Sequence, residues 1–276
     1  MSFSVNTNVG AMAALQSLSA TNKGMATTQS RINTGMNVAS TKDDSGSFVI
    51  AQTLRGDVMG LKAVTGSLNR AKSTVDVAVA GAEQVSDLLN QMQSKALEAA
   101  GGVDQPSRLA LQRDYNALAQ QMTSIIDSSS FNGTNLLKAA GAANDLSALT
   151  STDTPSAANT IAQAGLDFGA TVGALGGATW TDAATAETSR AATATAHTTI
   201  KGHLSTLGSL SRRIDGQQSF TSKLSDALES GIGNLVDADL AKESARLQAL
   251  QVKQQLGIQA LSIANQAPQA IMSLFR

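Results

Sequence analysis

The chain has 276 residues, a formal net charge of −1, 42% apolar residues, 3% aromatics and no cysteine. The apolar share excludes a disordered charged tail. The balanced charge excludes the clustered Lys and Arg that phosphate binding requires. Without a thiol there is no disulfide, no thiol nucleophile and no Cys-ligated metal.

Much of the apolar content is Ala, which favours helix but buries little area. Long, closely packed helices are therefore expected rather than one thick core. No charge occurs from Met1 through Asn22. A cleaved secretory signal would open with a positive region and a dense apolar run. The stretch SVNTNVGAMAALQSLSATN is mixed and polar-interrupted, so no cleaved signal is expected. A thin apolar seam, Ala11, Leu18, Met25 and Ile32, recurs there every seven residues. Lys42-Asp43-Asp44-Ser45-Gly46 lacks the alternating oxygen ligands of a calcium loop and reads as a polar connector and helix cap.

Residues Leu54 to Ala99 form one long helix. Leu54, Leu61, Leu68, Val75, Ala82, Leu89 and Ala96 recur every seven residues, with Val64, Ala71, Ala78, Val85, Met92 and Ala99 as a companion stripe. Two such stripes make a coiled-coil seam, and at ~1.5 Å per residue the helix would be about 70 Å long. Gly101-Gly102 ends it and Pro106 opens the next helix, which runs from about Gln105 to Ser128 on Leu111, Tyr115, Leu118, Met122 and Ile125. Asn132-Gly133 then favours a tight turn.

Periodicity fades from Ala139 to Ser189, a stretch rich in Ala, Gly, Ser and Thr that holds the single Trp180. Short strands and loops are expected there. Heptads return at Ile200, Leu207, Ile214, Leu228 and Leu235, giving a second long helix from Ser189 to Val236 that Asp237-Ala238-Asp239 interrupts. The last helix, Leu240 to Leu274, is apolar on several sides, through Leu240, Leu247, Leu250, Leu261, Ala264 and Ile271 and through Val252, Leu256, Ile263 and Leu274. A helix of that kind is buried on several sides. No charge occurs from Gln254 through Phe275, yet its many amides and hydroxyls make a bilayer span too costly. The expected fold is mainly α: a long antiparallel coiled-coil hairpin with paired N- and C-terminal helices and a small β-rich or irregular outer segment. Its parts are 1–45 (helix and connector), 46–138 (helices and turn), 139–188 (exposed strands and loops), 189–236 (returning helix) and 237–276 (last helix).

Sites of chemistry are scarce. His197 and His203 stand six apart, unlike the i, i+4 pair of a zinc helix, and no HExxH occurs. No GxxxxGK[ST] phosphate loop occurs, and GATVGALGG over 169–177 lacks a dinucleotide-site context. A Ser-His-Asp triad is not implied when both His share one helix. The chain therefore reads as a non-enzyme with no cofactor and no metal site, and with neither nucleic acid nor membrane as a partner. The uncharged apolar strips at both ends point instead to association.

Several segments resemble bacterial flagellins. Ser4-Val5-Asn6-Thr7-Asn8 is similar to their I-N-T-N opening, and Arg31 through Asp44 (RINTGMNVASTKDD) to R-L-S-S-G-L-R-I-N-S-A-K-D-D. Ser130-Phe131-Asn132-Gly133 resembles the F-N-G turn, and Asp237-Ala238-Asp239 the D-A-D. Ala264-Asn265-Gln266-Ala267-Pro268-Gln269 through Arg276 resembles A-N-Q-x-P-Q…L-L-R. The resemblance covers roughly the first 140 and last 85 residues, in order.

The resemblance implies a secreted subunit of the extracellular flagellar filament, exported by a type III channel. Its polymerisation interface would be Val5, Val9, Leu15, Leu18, Met25, Ile32, Leu256, Leu261, Ile263, Ile271, Leu274 and Phe275. Connectors would be Gly35, Lys42, Asp43, Asp44, Asp237 and Asp239. Implied partners are other flagellin copies, an export chaperone on the C-terminal segment, and the filament cap and hook-junction proteins. Thr150, Ser151, Thr152, Thr154, Ser156, Thr185, Thr188 and Thr193 become candidates for O-linked sugars. A segment recognised by an animal innate receptor carries L-Q-R-x-R-E-L in the family. Here Leu89-Asn90-Gln91-Met92-Gln93-Ser94-Lys95 puts Gln at both Arg positions, which puts that recognition in doubt. The competing readings are a hook–filament junction protein, a flagellin with an inserted metallopeptidase, which needs the missing HExxH, and a generic coiled-coil adaptor.

Overall fold

The computed structural model describes residues 7–153 and 159–274, with only the backbone described over 267–274. In chain order the elements are α1 (Val9–Thr34), α2 (Ser45–Ala100), α3 (Gln105–Ser128), β1 (Leu146–Leu149), β2 (Thr160–Gln163), α4 (Phe168–Gly173), α5 (Ala183–Val236) and α6 (Leu240–Leu274). They divide into two compact units, Met1–Gly56 with Ala227–Arg276, and Asp57–Asp226.

The Asp57–Asp226 unit is built on the two seams of α2. Leu61, Leu68, Val75, Ala82, Leu89 and Ala96 are buried, and so are Val64, Ala71, Ala78, Val85, Met92 and Ala99. Leu54, which opens the first stripe, is only half-buried. Seams three residues apart bury a helix on a broad face. Polar pairs mark the neighbours: Lys72 donates to Ser211 at 2.7 Å and pairs with Asp215 at 3.1 Å on α5, and Lys95 lies 3.6 Å from Asp114 on α3. Asn69 meets Gln218 and Lys72 meets Ser211, so α2 and α5 run antiparallel.

The α2–α3 link turns at Gly102, with φ +88°, and a buried Arg108 ties it down. Its guanidinium donates to the carbonyls of Ala99 at 3.2 Å and Val103 at 2.8 Å, and to Gln105 at 2.7 Å. After α3, Asn132 and Gly133 take φ +51° and +82°, and Phe131 and Thr134 exchange two backbone hydrogen bonds of 3.0 Å. This is the tight turn that Asn-Gly favours.

The segment after this turn holds short strands, as expected: among its described residues are the two-stranded antiparallel β1–β2 sheet, with Leu146 opposite Gln163, and the short α4. Its burial differs from the exposed outer segment that was expected. Leu146, Ala148, Ile161, Phe168, Val172, Leu175 and Trp180 join the same buried cluster as the α2 seams. Trp180 packs against Tyr115 with ring centroids 5.1 Å apart and planes tilted by 54°, and its indole donates to Ser189 at 2.9 Å. Helix α5 starts at Ala183, not at Ser189, because the Asp182 carboxylate accepts from the Thr185 N–H at 2.8 Å and caps the first turn. The seam runs backward from Ile200 through Ala196, Thr193 and Ala186, all buried. It escapes a search for large apolar residues because it is made of Ala and Thr.

His197 and His203 are half-buried on α5. The His203 ring stacks on Phe168 at 5.1 Å. Burial holds both imidazoles below their usual pKa, with Lys201 adding to the effect at His197 and Asp167 opposing it at His203. Burial also pushes the Tyr115 phenol up, against the opposing effect of its hydrogen bond with Thr193.

One close approach makes a sharp test. A Cβ on Gly81 of α2 would collide with the Ser129 hydroxyl oxygen and come within 2.9 Å of Leu137 Cδ1. Gly81→Ala gains ~1 kcal/mol of helix propensity but overpacks the site at a cost of about 1–3 kcal/mol. Net destabilisation in chemical denaturation is expected, deepening in Gly81→Val. A stabilised Gly81→Val would contradict the packing.

Candidate assembly interface

The second unit holds the sequence-derived interface and connectors. Asn8 caps α1 by accepting from the Ala11 N–H at 3.0 Å. Gly35 ends it with φ +71°, and its N–H donates to the Arg31 carbonyl at 2.9 Å. That αL position is one Gly fills without strain. Helices α1 and α6 pair antiparallel: Asn8 donates to the Ala264 carbonyl at 2.7 Å, Gln254 to Asn22 at 2.8 Å, and Arg31 to Glu243 at 3.4 Å. Small residues let the pair close. Leu18 lies against Gly257, and Leu250 against Gly24.

What this pair buries decides what it can do. Thr28 is the fully buried side chain of α1, and Glu243 is the one among the described side chains of α6. No apolar residue of either helix reaches that depth among those described. Leu18, Met25 and Ile32 are half-buried, as are Leu247, Leu250 and Leu261. Facing solvent are Val9 at 75%, Met12 at 62% and Leu15 at 58% on α1. On α6, Val252, Leu256, Ile258 and Ile263 are between 54% and 69% exposed.

The sequence-derived interface residues therefore fall into two groups. Leu18, Met25, Ile32 and Leu261 sit at intermediate depth, whereas Val9, Leu15, Leu256 and Ile263 are exposed. Val5 and Phe275, and the side chains of Ile271 and Leu274, lie outside the described residues. Sequence reasoning missed Met12, although Val9, Met12 and Leu15 are spaced by three, and it missed Ile258.

The connectors are knitted together by backbone. Met36 bridges Asp237, the Asn37 N–H donates to the Val236 carbonyl at 2.7 Å, and the Ala238 N–H to that of Gly35 at 2.9 Å. Beside them Val38, Ala51 and Val236 form a small buried cluster. Asp43 accepts from the Ser40 hydroxyl and from the N–H groups of Ser40 and Ala39, and the hydroxyl leads in holding its carboxyl below the usual range. Asp44 caps α2 through Gly46 and Ser47, with the Ser47 hydroxyl leading its own downward shift. Asp239 caps α6 by accepting from Ala241 and Lys242. Lys42 is exposed. Among the described residues no group of three or more His, Asp or Glu could hold a metal ion.

The candidate sugar sites separate by exposure. Thr152 and Thr188 are exposed, while Thr150, Ser151 and Thr185 are half-buried. Thr193 is withdrawn as a candidate: it is fully buried, and its hydroxyl bonds Tyr115 at 2.8 Å. Thr154 and Ser156 lie outside the described residues. Gln91 is exposed and Gln93 half-buried, so no Arg fork stands at either position.

Comparison with known proteins identifies the family. Residues 5–142 match the family model for the bacterial flagellin N-terminal helical region, and residues 191–275 match that for the C-terminal helical region. The chain belongs to the flagellins. Flagellin FljK of Caulobacter vibrioides is 43% identical over 277 residues, covering 99% of this chain and 98% of that protein. A flagellin of Brucella melitensis is 34% identical, with 99% of each chain covered. The crystal structure of Bacillus cereus flagellin aligns with a TM-score of 0.48 and 23% identity over 55% of this chain and 86% of its own.

Among the described residues of this unit, this flagellin sets a buried carboxylate, Glu243, against a half-buried Arg31. Glu243 is 7% exposed, with Arg31 at 3.4 Å and Arg246 at 3.7 Å. Arg31 Nε and Glu243 Oε2 are buried without a partner. Removing Arg31 leaves the buried carboxylate with only the exposed Arg246, whereas replacing both Arg31 and Glu243 with apolar groups is often neutral. Arg31→Met is expected to lower stability, measured by hydrogen exchange in α6, more than the double variant Arg31→Met/Glu243→Leu does. Additive losses would contradict this.

Proposed function

We propose that the chain is a structural, non-enzymatic subunit that polymerises into the extracellular flagellar filament through the exposed rows of α1 and α6. One observation carries the reading: two helices of 26 and 35 residues bury no apolar side chain fully among those described. Ordering so much backbone is costly, and apolar burial against further copies offsets it. Membership of the flagellins supplies the kind of assembly, and nothing favours a hook–filament junction protein. The exposed α6 row is also the surface that an export chaperone would cover before assembly. Cap and hook-junction proteins would meet the same terminal helices.

The contact is uncharged over Met1–Asn22 and Gln254–Phe275, so salt has little to screen. Ile263→Glu introduces a carboxylate at a side chain 69% exposed in the free subunit. Far-UV circular dichroism of the monomer should be unchanged. Polymerisation, followed by sedimentation and negative-stain microscopy, should be lost, because an unpaired buried charge costs several kcal/mol. Normal filaments from Ile263→Glu, or wild-type filaments that dissolve at high salt, would sink the reading.

O-linked sugars belong to the same proposal, now centred on Thr152 and Thr188, which are exposed. Hydroxyls carrying bulky, solubilising groups would limit lateral sticking of filaments. Intact-mass measurement of native filaments tests this. Additional hexose-sized increments are expected, and a mass equal to the bare chain ends the idea.

A further inference from the structure

The chain has no cysteine, and its one Trp and one Tyr, Trp180 and Tyr115, are buried. The soft, oxidisable groups that solvent reaches are therefore methionine thioethers. Met92 and Met122 are sealed in the Asp57–Asp226 core, and Met25 and Met36 are half-buried. Among the described side chains, only Met12 and Met59 are exposed methionines. Met12 lies inside the apolar row of α1, three residues after Val9 and three before Leu15, in a stretch with no charged residue. Met59 lies on α2 in the other unit.

We infer that Met12 is an oxidation site through which peroxide controls subunit addition, an inference that rests on the assembly reading above. A peroxide transfers one oxygen to the sulfur lone pair. The O–O bond breaks, the S–O bond forms, sulfur gives up two electrons, and hydrogen peroxide leaves as water. The thioether, apolar and adaptable, becomes a polar sulfoxide. In the free subunit water satisfies the new oxygen. In an apolar, uncharged contact it loses those hydrogen bonds without replacement, which disfavours burial. The same contact shields the sulfur once a subunit is in place. Oxidation thus acts on free subunits and spares assembled ones. Reduction by a sulfoxide reductase with a dithiol returns the thioether, releasing water and a disulfide of the reductant.

The experiment treats the purified full chain with hydrogen peroxide, once as free subunit and once as polymer, and maps each methionine by peptide mass. Met12 is expected to gain one oxygen in the free subunit and to be protected in the polymer. Met92 and Met122 are expected to stay unmodified in both, which reports an intact fold. The critical concentration of the oxidised subunit is expected to rise about tenfold or more, the scale of one unpaired polar group. Methionine sulfoxide reductase with dithiothreitol should reverse it. In Met12→Leu the treated and untreated critical concentrations should agree, whereas Met59→Leu should keep the full wild-type sensitivity. Equal oxidation of Met12 in subunit and polymer overturns the inference, as does a loss that persists in Met12→Leu. Normal polymerisation of the oxidised wild type overturns this inference alone. An untreated chain that does not polymerise overturns the assembly reading and this inference with it.

Discussion

Alanine at the seam positions of α2 sets the terms for the larger unit. Ala71, Ala78, Ala82, Ala96 and Ala99 are all buried, and between them Gly81 leaves no room for a Cβ beside Ser129 and Leu137. Small side chains bring backbones near one another, so the core gains contact density rather than bulk. The volume then comes from elsewhere. Tyr115 of α3, Phe168 of α4 and Trp180 just before α5 are the largest fully buried side chains. Two of the three, Phe168 and Trp180, lie in the segment whose composition looks loosest.

The smaller unit is organised by another rule. Its fully buried apolar residues, Val38, Ala51 and Val236, lie at or beside the connectors, outside α1 and α6. Backbone bridging at Met36 and Asp237 and side-chain caps at Asp44 and Asp239 define where the helices begin and end. Local hydrogen bonding thus fixes the geometry of the helix ends, while the helix faces remain unfilled. A subunit of this kind is specified before it is stabilised.

Large apolar residues at fixed spacing were legible from sequence. The α2 stripes from Leu61 onward and the seam of Ile200, Leu207 and Ile214 are core, and the α3 stripe is buried at Tyr115 and Met122 and half-buried at Leu111, Leu118 and Ile125, because a large apolar residue at fixed spacing has few alternatives to burial. The Asn132-Gly133 turn and the cap within Lys42–Gly46 were legible for a different reason, since backbone chemistry at those spots admits few residue types; Asp239 was read only as part of an interruption, and its role as a cap comes from the structure. Seams written in small residues were not legible. Ala186 and Thr193 are core, but Ala and Thr occur as readily on surfaces, so the start of α5 and the burial of Thr193 went unread. Long-range polar contacts were also hidden. Nothing in the spacing of Arg31 and Glu243, or of Arg108 and Ala99, marks them as partners. The exposed row of α1 was read only in part, because Met12 stands one place off the seven-residue repeat of Ala11, Leu18, Met25 and Ile32.

The placement of Trp180 has a practical consequence. A chain with a single tryptophan has a single indole emitter, and here it is 1% exposed, packed at a tilt against Tyr115 and hydrogen-bonded to Ser189. Its emission reports the integrity of the Asp57–Asp226 core. The terminal helices carry neither Trp nor Tyr, so their ordering leaves no trace in this emission. A melting curve read from this indole therefore follows the Asp57–Asp226 unit alone. Following α1 and α6 by fluorescence requires a label introduced there.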